Sequence, residues 1–527
     1  MNTSSALAWQ DHAVIVGYII GMIALGAYLS RKQQTDEDYF LGGRRMPWFA
    51  VGLSVIASLL SSLTYLSEPG EVWKSGITHQ FGKMIAIPLE MLFVFLVCVP
   101  FLMRFRYTTA YEYLGERFGP RTRLLGATLF LLMAVQWMGF VVLVSSRALA
   151  AVSGMPLWLV IMTVGIAATL YTALGGLRAV IWTDVVQVAL LVGGGLFTIG
   201  YVAFTTGTGL TEWYDATKDY LLKTDQDDPM PIFSFDPTVR ATVITVGLNM
   251  FTWHVCTHIA NQMTVQRYFS TSDMKAARRS FITAALVGVG LNLMLMVVGL
   301  ALVYFYFAQG RMDEMVSMTQ DPISGEPQFD LVFPAFSVVQ LPPGLGGGIL
   351  AALLAAAMSS IDSGVNSMAT VISTEIDLRR GRSASGEGRP PTSHVGRGRL
   401  MTVVFGLFIT VAAFGLDFLP KQWGIIDAMP RTFNAITGPI GGLFFVGMFI
   451  RNASARAAVL ATICGLITSL GIGYSRQIGE LLGSEWPAVS FTWVMPCSLA
   501  VTVLAGWLLS LLSPRSEPVD SRLTWRG

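Results

Sequence analysis

Charge is what this 527-residue chain has least of: Asp, Glu, Lys and Arg make up 13% of it, against 53% hydrophobic residues. A soluble domain carries roughly 25% charged side chains. So little charge excludes a chain that faces water and is cut into several domains by polar linkers. Cysteine is scarce too. Cys98, Cys256, Cys464 and Cys497 lie in or beside apolar runs with no paired spacing, which excludes a disulfide framework or a thiolate metal site and leaves them as packing residues. The first apolar run, residues 13–29, has no basic segment ahead of it; Asp11 and His12 precede it, and Arg31 and Lys32 follow. It therefore reads as a retained span rather than a cleaved signal peptide. A formal net charge of +2 says little about partners, and no nucleic-acid partner is expected.

What the chain has in abundance is apolar runs of about 20 residues, the length at which a helix rising about 1.5 Å per residue crosses a hydrocarbon core near 30 Å thick. Thirteen such runs begin near residues 12, 48, 80, 124, 156, 179, 240, 280, 346, 399, 425, 456 and 488. The expected fold class is an all-α polytopic membrane protein. An odd count places the termini on opposite faces. Most of the 35 Lys and Arg fall in alternate connections: Arg31, Lys32, Arg44 and Arg45; Arg104 to Arg123; Arg178; Arg267, Lys275, Arg278 and Arg279; Arg379 to Arg399; Arg451 and Arg456; and Arg515, Arg522 and Arg526. The positive-inside rule makes that face cytoplasmic, with the N-terminus outside a plasma membrane and the C-terminus inside. The two longest connections on the other side, residues 204–238 with Asp225, Asp227 and Asp228, and residues 309–344 with Pro322, Pro327, Pro342 and Pro343, are expected as external loops. Residues 379–399, basic and rich in Gly, Ser and Pro, read as a flexible cytoplasmic linker.

Polar residues at membrane depth need a reason, since ionisable ones cost roughly 2.5 to 3.5 kcal/mol each on insertion scales. The second run breaks into SLLSSLTYLSEPG at residues 58–70. That composition suits a helix interrupted part-way, with carbonyls freed for a cation, or equally one that ends early with serines bonded back onto its last turn. The ninth run, residues 351–363, reads AALLAAAMSSIDS. Its small residues permit close helix packing, and Ser359, Ser360, Asp362 and Ser363 follow as either packing glue or hard-cation ligands. Asp184 sits near one entrance of the sixth run, as a helix cap or a functional carboxylate. In the third run, Lys83 and Glu90 could pair only by bending or snorkelling, and Lys83 is expected to reach the outer headgroups; Arg147 reads as a snorkelling residue. His254 and His258 share a helical face, but the third ligand and glutamate of a zinc-protease motif are missing. Hydrogen bonding inside a polar cavity suits them better.

Three segments, residues 171–185 (YTALGGLRAVIWTDV), residues 261–268 (NQMTVQRY) and the Ser359-Ser360 helix, resemble the sodium:solute symporter family over about residues 10–450. The resemblance implies a leucine-transporter-type inverted repeat of five plus five helices. On that pattern residues 1–47 are an extra helix and cytoplasmic loop, 48–450 the ten-helix transport core, and 451–527 two further helices and a tail. It also implies a sodium held by the carbonyls of Ala57, Leu60 and Ala356 and the hydroxyls of Ser359 and Ser360. A second cation position falls on Asp184, Asp362 and Ser363, where Asp362 departs from a residue commonly a serine. Substrate contacts are expected from Ser61, Ser62, Thr64, Glu90, His254, Thr257 and His258. The family implies no enzyme. It implies co-transport of sodium with a small organic or anionic solute, as in the iodide, monocarboxylate and multivitamin branch, with a sugar symporter or an uncoupled channel or sensor as the alternatives. The oligomeric state stays open.

Overall fold

A computed structural model describes residues 7–30, 35–224, 232–320, 325–380, 395–416, 425–513 and 519–525. Arg31, Lys32, the acidic run at Asp225, Asp227 and Asp228, Pro322, Arg382, Arg389, Arg515 and Arg526 lie outside these residues. Among the described residues the chain is helical apart from one isolated bridge between Gln320 and Pro327. The principal helices are α1 (Trp9–Ser30), α2 (Trp48–Leu59), α3 (Ser62–Ser75), α4 (Thr78–Leu102), α5 (Pro120–Ser153), α6 (Leu157–Thr206), α7 (Leu210–Thr224), α8 (Val243–Ala260) and α9 (Gln262–Phe269). They continue as α10 (Met274–Ala308), α11 (Leu345–Arg379), α12 (Val395–Leu416), α13 (Ile425–Ala435), α14 (Thr437–Phe449), α15 (Ala455–Gly473) and α16 (Phe491–Leu512). Among the described residues, nine of them are long and apolar enough to cross a membrane, and up to eleven spans result if each of two bent pairs counts as one. Those pairs are α2 with α3, bent by 62°, and α13 with α14, bent by 41°.

The breaks have local causes. α2 stops at Leu60, whose ψ of 87° leaves the helical region, and Ser61 is extended with its hydroxyl accepting the Leu63 N–H, so it caps α3. The same device recurs where α8 gives way to α9: Asn261 has ψ 115° and its side chain accepts the Met263 N–H. α6 runs for 50 residues, about 75 Å at 1.5 Å per residue and far more than one hydrocarbon core. Its one non-helical residue is Gly176 at φ 53°, a conformation that favours glycine, and a Cβ there would lie 2.7 Å from the Tyr39 carbonyl oxygen. Tyr39, in the short helix Asp36–Leu41, reaches past the kink to the Thr402 hydroxyl at 3.0 Å.

α11 is the axis of the bundle. It is buried along nearly its whole length and packs chiefly on α6, and its small residues permit that approach. α1, by contrast, buries only Asp11, Met22 and Gly26 and leaves most of its apolar surface outward. The connections 204–238 and 309–344, expected as loops, contain helices: α7 in the first, Met312–Thr319 and Val332–Val339 in the second. α7 buries Trp213, Ala216, Thr217 and Tyr220, a 3, 4, 7 spacing that makes one apolar stripe on an otherwise polar helix. Tyr220 meets Trp73 of α3 edge to face at 5.2 Å between ring centres, so α7 is docked on the bundle.

Candidate functional site

α11 passes the break between α2 and α3. A helix that stops at Leu59 leaves its last carbonyls without intrahelical N–H partners. The Ser359 hydroxyl lies 3.0 Å from the Ala57 carbonyl oxygen and 3.0 Å from that of Ala356, and the Ser360 hydroxyl lies 3.4 Å from Ala356 O. All four residues are buried, and so is Leu60 at the break itself. Carbonyls and hydroxyls without a formal charge make a hard, neutral oxygen set, suited to a monovalent cation and not to a soft transition metal.

One turn further along α11 a second cluster gathers from α2, α6, α9 and α11. Asp184 accepts from the Ser54 hydroxyl at 2.5 Å and from Arg267 Nη2 at 3.1 Å. Arg267 also donates from Nε to Ser54 at 2.7 Å, from Nη1 to the Met263 carbonyl at 2.6 Å, and from Nη2 to the Ser363 hydroxyl. Asp362 accepts from the Tyr171 hydroxyl at 2.7 Å and from Ser363 at 3.1 Å. Arg267, Asp184, Asp362, Ser363 and Tyr171 are all fully buried. Asp184 thus pairs with the guanidinium, and Asp362 joins the cluster through Ser363, which Arg267 also contacts. Asp184 is no interfacial cap. Arg267, counted in the sequence among the basic residues of a connection, lies inside the bundle because the chain continues past the break at Asn261 as the buried helix α9. Ser54, Tyr171 and Arg267 were missed as site residues; the signal was there for two of them, since Tyr171 and Arg267 belong to the segments that carry the family resemblance.

A cavity of about 150 Å³ opens between α2 and α3, α4, α8, α10 and α13. Thr64, Glu90, His254 and His258 line it. Ser61 instead caps α3, Ser62 bonds the Ser145 hydroxyl at 2.6 Å, and Thr257 is buried within the bundle. Lys83 neither snorkels away nor meets Glu90. It pairs with Glu68 of α3, which also accepts from Gln80 and has His79 Nδ1 at 3.7 Å. Glu90 pairs with His254 Nδ1, and His258 Nδ1 meets the Tyr268 hydroxyl at 2.6 Å. The two histidines therefore turn to different partners, and among the described residues no group of three or more metal-ligating side chains forms. Arg147 is half-buried in α5. Beside the cavity, Arg240 forks onto Glu71 at 2.6 and 3.1 Å and onto Asp427 at 3.2 and 3.1 Å, tying the approach to α8 to α3 and α13.

A helical membrane bundle whose helices break beside a polar cavity, with freed carbonyls facing hydroxyls on a neighbouring helix, is the arrangement of a secondary transporter. The chain belongs to the sodium:solute symporter family, whose model matches residues 39–465. It is a sodium-coupled symporter and a multi-pass membrane protein, not an enzyme. It is 31% identical over 472 residues to a sodium/sialic acid symporter of Proteus mirabilis (strain HI4320), covering 89% of this chain and 90% of that relative. It is 31% identical to a sodium-dependent multivitamin transporter of Oryctolagus cuniculus, covering 91% of this chain and 72% of that one. The solved substrate-bound, outward-open state of a Na+-coupled sialic acid symporter superposes with a TM-score of 0.81 at 28% identity, covering 97% of this chain and 99% of that one. A nucleobase-cation-symport-1 family transporter, in a closed conformation, shares the fold alone, with a TM-score of 0.51 at 13% identity.

Proposed function

We propose that this symporter binds sodium between the α2 break and α11, through the carbonyls of Ala57, Leu60 and Ala356 and the hydroxyls of Ser359 and Ser360, and couples its inward movement to solute uptake by alternating access. The observation that carries the reading is the 3.0 Å approach of the Ser359 hydroxyl to the Ala57 carbonyl across the break. Sodium entering there would join two helices from different halves of the bundle and favour the outward-open state. Asp184, Asp362 and Ser363 form a second cation position, shared with Arg267. The solute contacts Thr64, Glu90, His254 and His258 in the cavity, whereas Ser61, Ser62 and Thr257 are not among its lining residues.

Thirteen spans account for the helices if α6 is divided at Gly176 and α8 with α9 counts as one broken span. The broken spans α2/α3 and α8/α9 then stand five apart, as corresponding positions of a five-plus-five inverted repeat do. Residues 1–47, 48–450 and 451–527 are the leading helix and loop, the ten-helix core and the two trailing helices. The basic connections set the N-terminus outside a plasma membrane and the C-terminus in the cytoplasm, so the cavity faces out. Replacing both serines, Ser359→Ala with Ser360→Ala, should abolish sodium-stimulated uptake in proteoliposomes without preventing membrane insertion. Uptake that kept its sodium dependence would overturn the site.

A further inference from the structure

The cavity wall has a charge imbalance that constrains the solute, given the symport reading above. Its ionisable groups are Glu68 and Glu90 on the acidic side and Lys83, His79, His254 and His258 on the basic side. Each basic group lies against a partner, although Nδ1 of His79 and of His254 makes no hydrogen bond there. Lys83 and His79 face Glu68, His254 faces Glu90, and His258 faces Tyr268. The acidic side also leaves oxygen acceptors open. Glu90 is 4% exposed and its Oε2 has no hydrogen-bond partner; Asn249, 2% exposed on the same wall, has an unpartnered Oδ1. A buried acceptor left unmatched carries a desolvation penalty of about 1 to 3 kcal/mol, more when charged. A ligand that donates N–H groups there relieves it, whereas a carboxylate would add a third negative charge beside Glu68 and Glu90, on a wall whose one lysine is already paired with Glu68. The rest of the wall is apolar and aromatic, with Met84, Ile87, Met250, Trp253, Phe281 and Met495, surfaces that accept a hydrocarbon body and, at the tryptophan face, a cation. A cavity of about 150 Å³ is known to hold benzene.

We infer that the solute is a small protonated amine with a compact apolar body and no carboxylate, its ammonium held by Glu90 and Asn249. This choice sets the chain apart from the sialic acid symporters it is similar to. Benzylamine, benzyl alcohol and benzoate are near-isosteric probes that differ in the charge of the head group. With the purified full-length protein in sodium, benzylamine should raise the melting temperature saturably, benzyl alcohol should bind at least about tenfold more weakly, as expected for loss of a charged hydrogen bond, and benzoate should not bind. Glu90→Gln should weaken benzylamine by a similar factor. Benzoate binding as tightly as benzylamine, no binding of benzylamine, or a Glu90→Gln affinity within about twofold of the parent overturns the inference; the first two outcomes need no variant to fold. Stabilisation by sodium alone is read separately. If sodium fails to stabilise the unliganded protein, the sodium site falls instead.

Discussion

Arg267 and Arg240 stand at opposite ends of the same broken span, α8 with α9, and each gathers groups from several helices. Arg267 and Asp184 have no solvent exposure at all; the Arg240 side chain is 26% exposed, and Asp427, one of its two partners, is 20% exposed. The difference sets what it takes to separate them. A guanidinium with all three nitrogens donating into a dry site cannot exchange its partners for water, so parting it strands charge in the bundle. Arg240 and Asp427 can hydrate as they part, which lowers the cost of separating them, while Glu71, buried at 2% exposure, keeps its own need for a donor. The end of the bundle near Trp48 is therefore held by a lock, and the end near Glu71 by a latch.

Arg267→Ala probes the lock. It should destabilise the protein by about 3 to 5 kcal/mol, because Asp184 is left buried and unpaired, and adding Asp184→Asn should recover part of the loss. Melting in detergent measures both, and a single variant as stable as the parent would remove the distinction between the two arginines. Gly176→Ala acts on the same end through the backbone: positive φ and a contact with the Tyr39 carbonyl should cost about 1 to 3 kcal/mol, visible as a lower melting temperature. Arg240→Gln tests the latch. Its stability loss should stay below that of Arg267→Ala, because Asp427 can hydrate and Gln can still donate to Glu71, yet labelling of a Thr64→Cys reporter by an aqueous thiol reagent should accelerate. A loss as large as that of Arg267→Ala would make the two ends equivalent.

Much of this was legible in the sequence because membrane solvent imposes a length and composition on every span. The runs starting near 48, 124, 346 and 425 begin within a few residues of α2, α5, α11 and α13. The interruption at residues 58–70 was legible too, since serines, Pro69 and Glu68 do not suit an uninterrupted lipid-facing helix. Arg267 was not. A basic residue seven positions before α10 looks the same in sequence whether it lies in a loop or in a helix past a break, and only the turn at Asn261 distinguishes them. Lys83 was misplaced for a related reason: its partner Glu68 is on another helix, and periodicity within α4 carries no information about that. The helix α7 was read as loop because its stripe is short and its flanks are polar.

The sequence by itself determined that this chain lives in a membrane as many helices, that one of them is either interrupted or ended early, and that hydroxyls and a carboxylate cluster on the most small-residue-rich run. These follow from local rules: the length of apolar runs, the low cost of small residues in helix contacts, and the rarity of charge in hydrocarbon. Tertiary structure alone decided which charges pair, placing Arg267 on Asp184, Lys83 on Glu68 and His254 on Glu90, and so which polar atoms of the cavity remain open to a solute. Charge pairing depends on distances between helices far apart in the chain, and Coulomb energy in a dry bundle depends steeply on that distance and on burial.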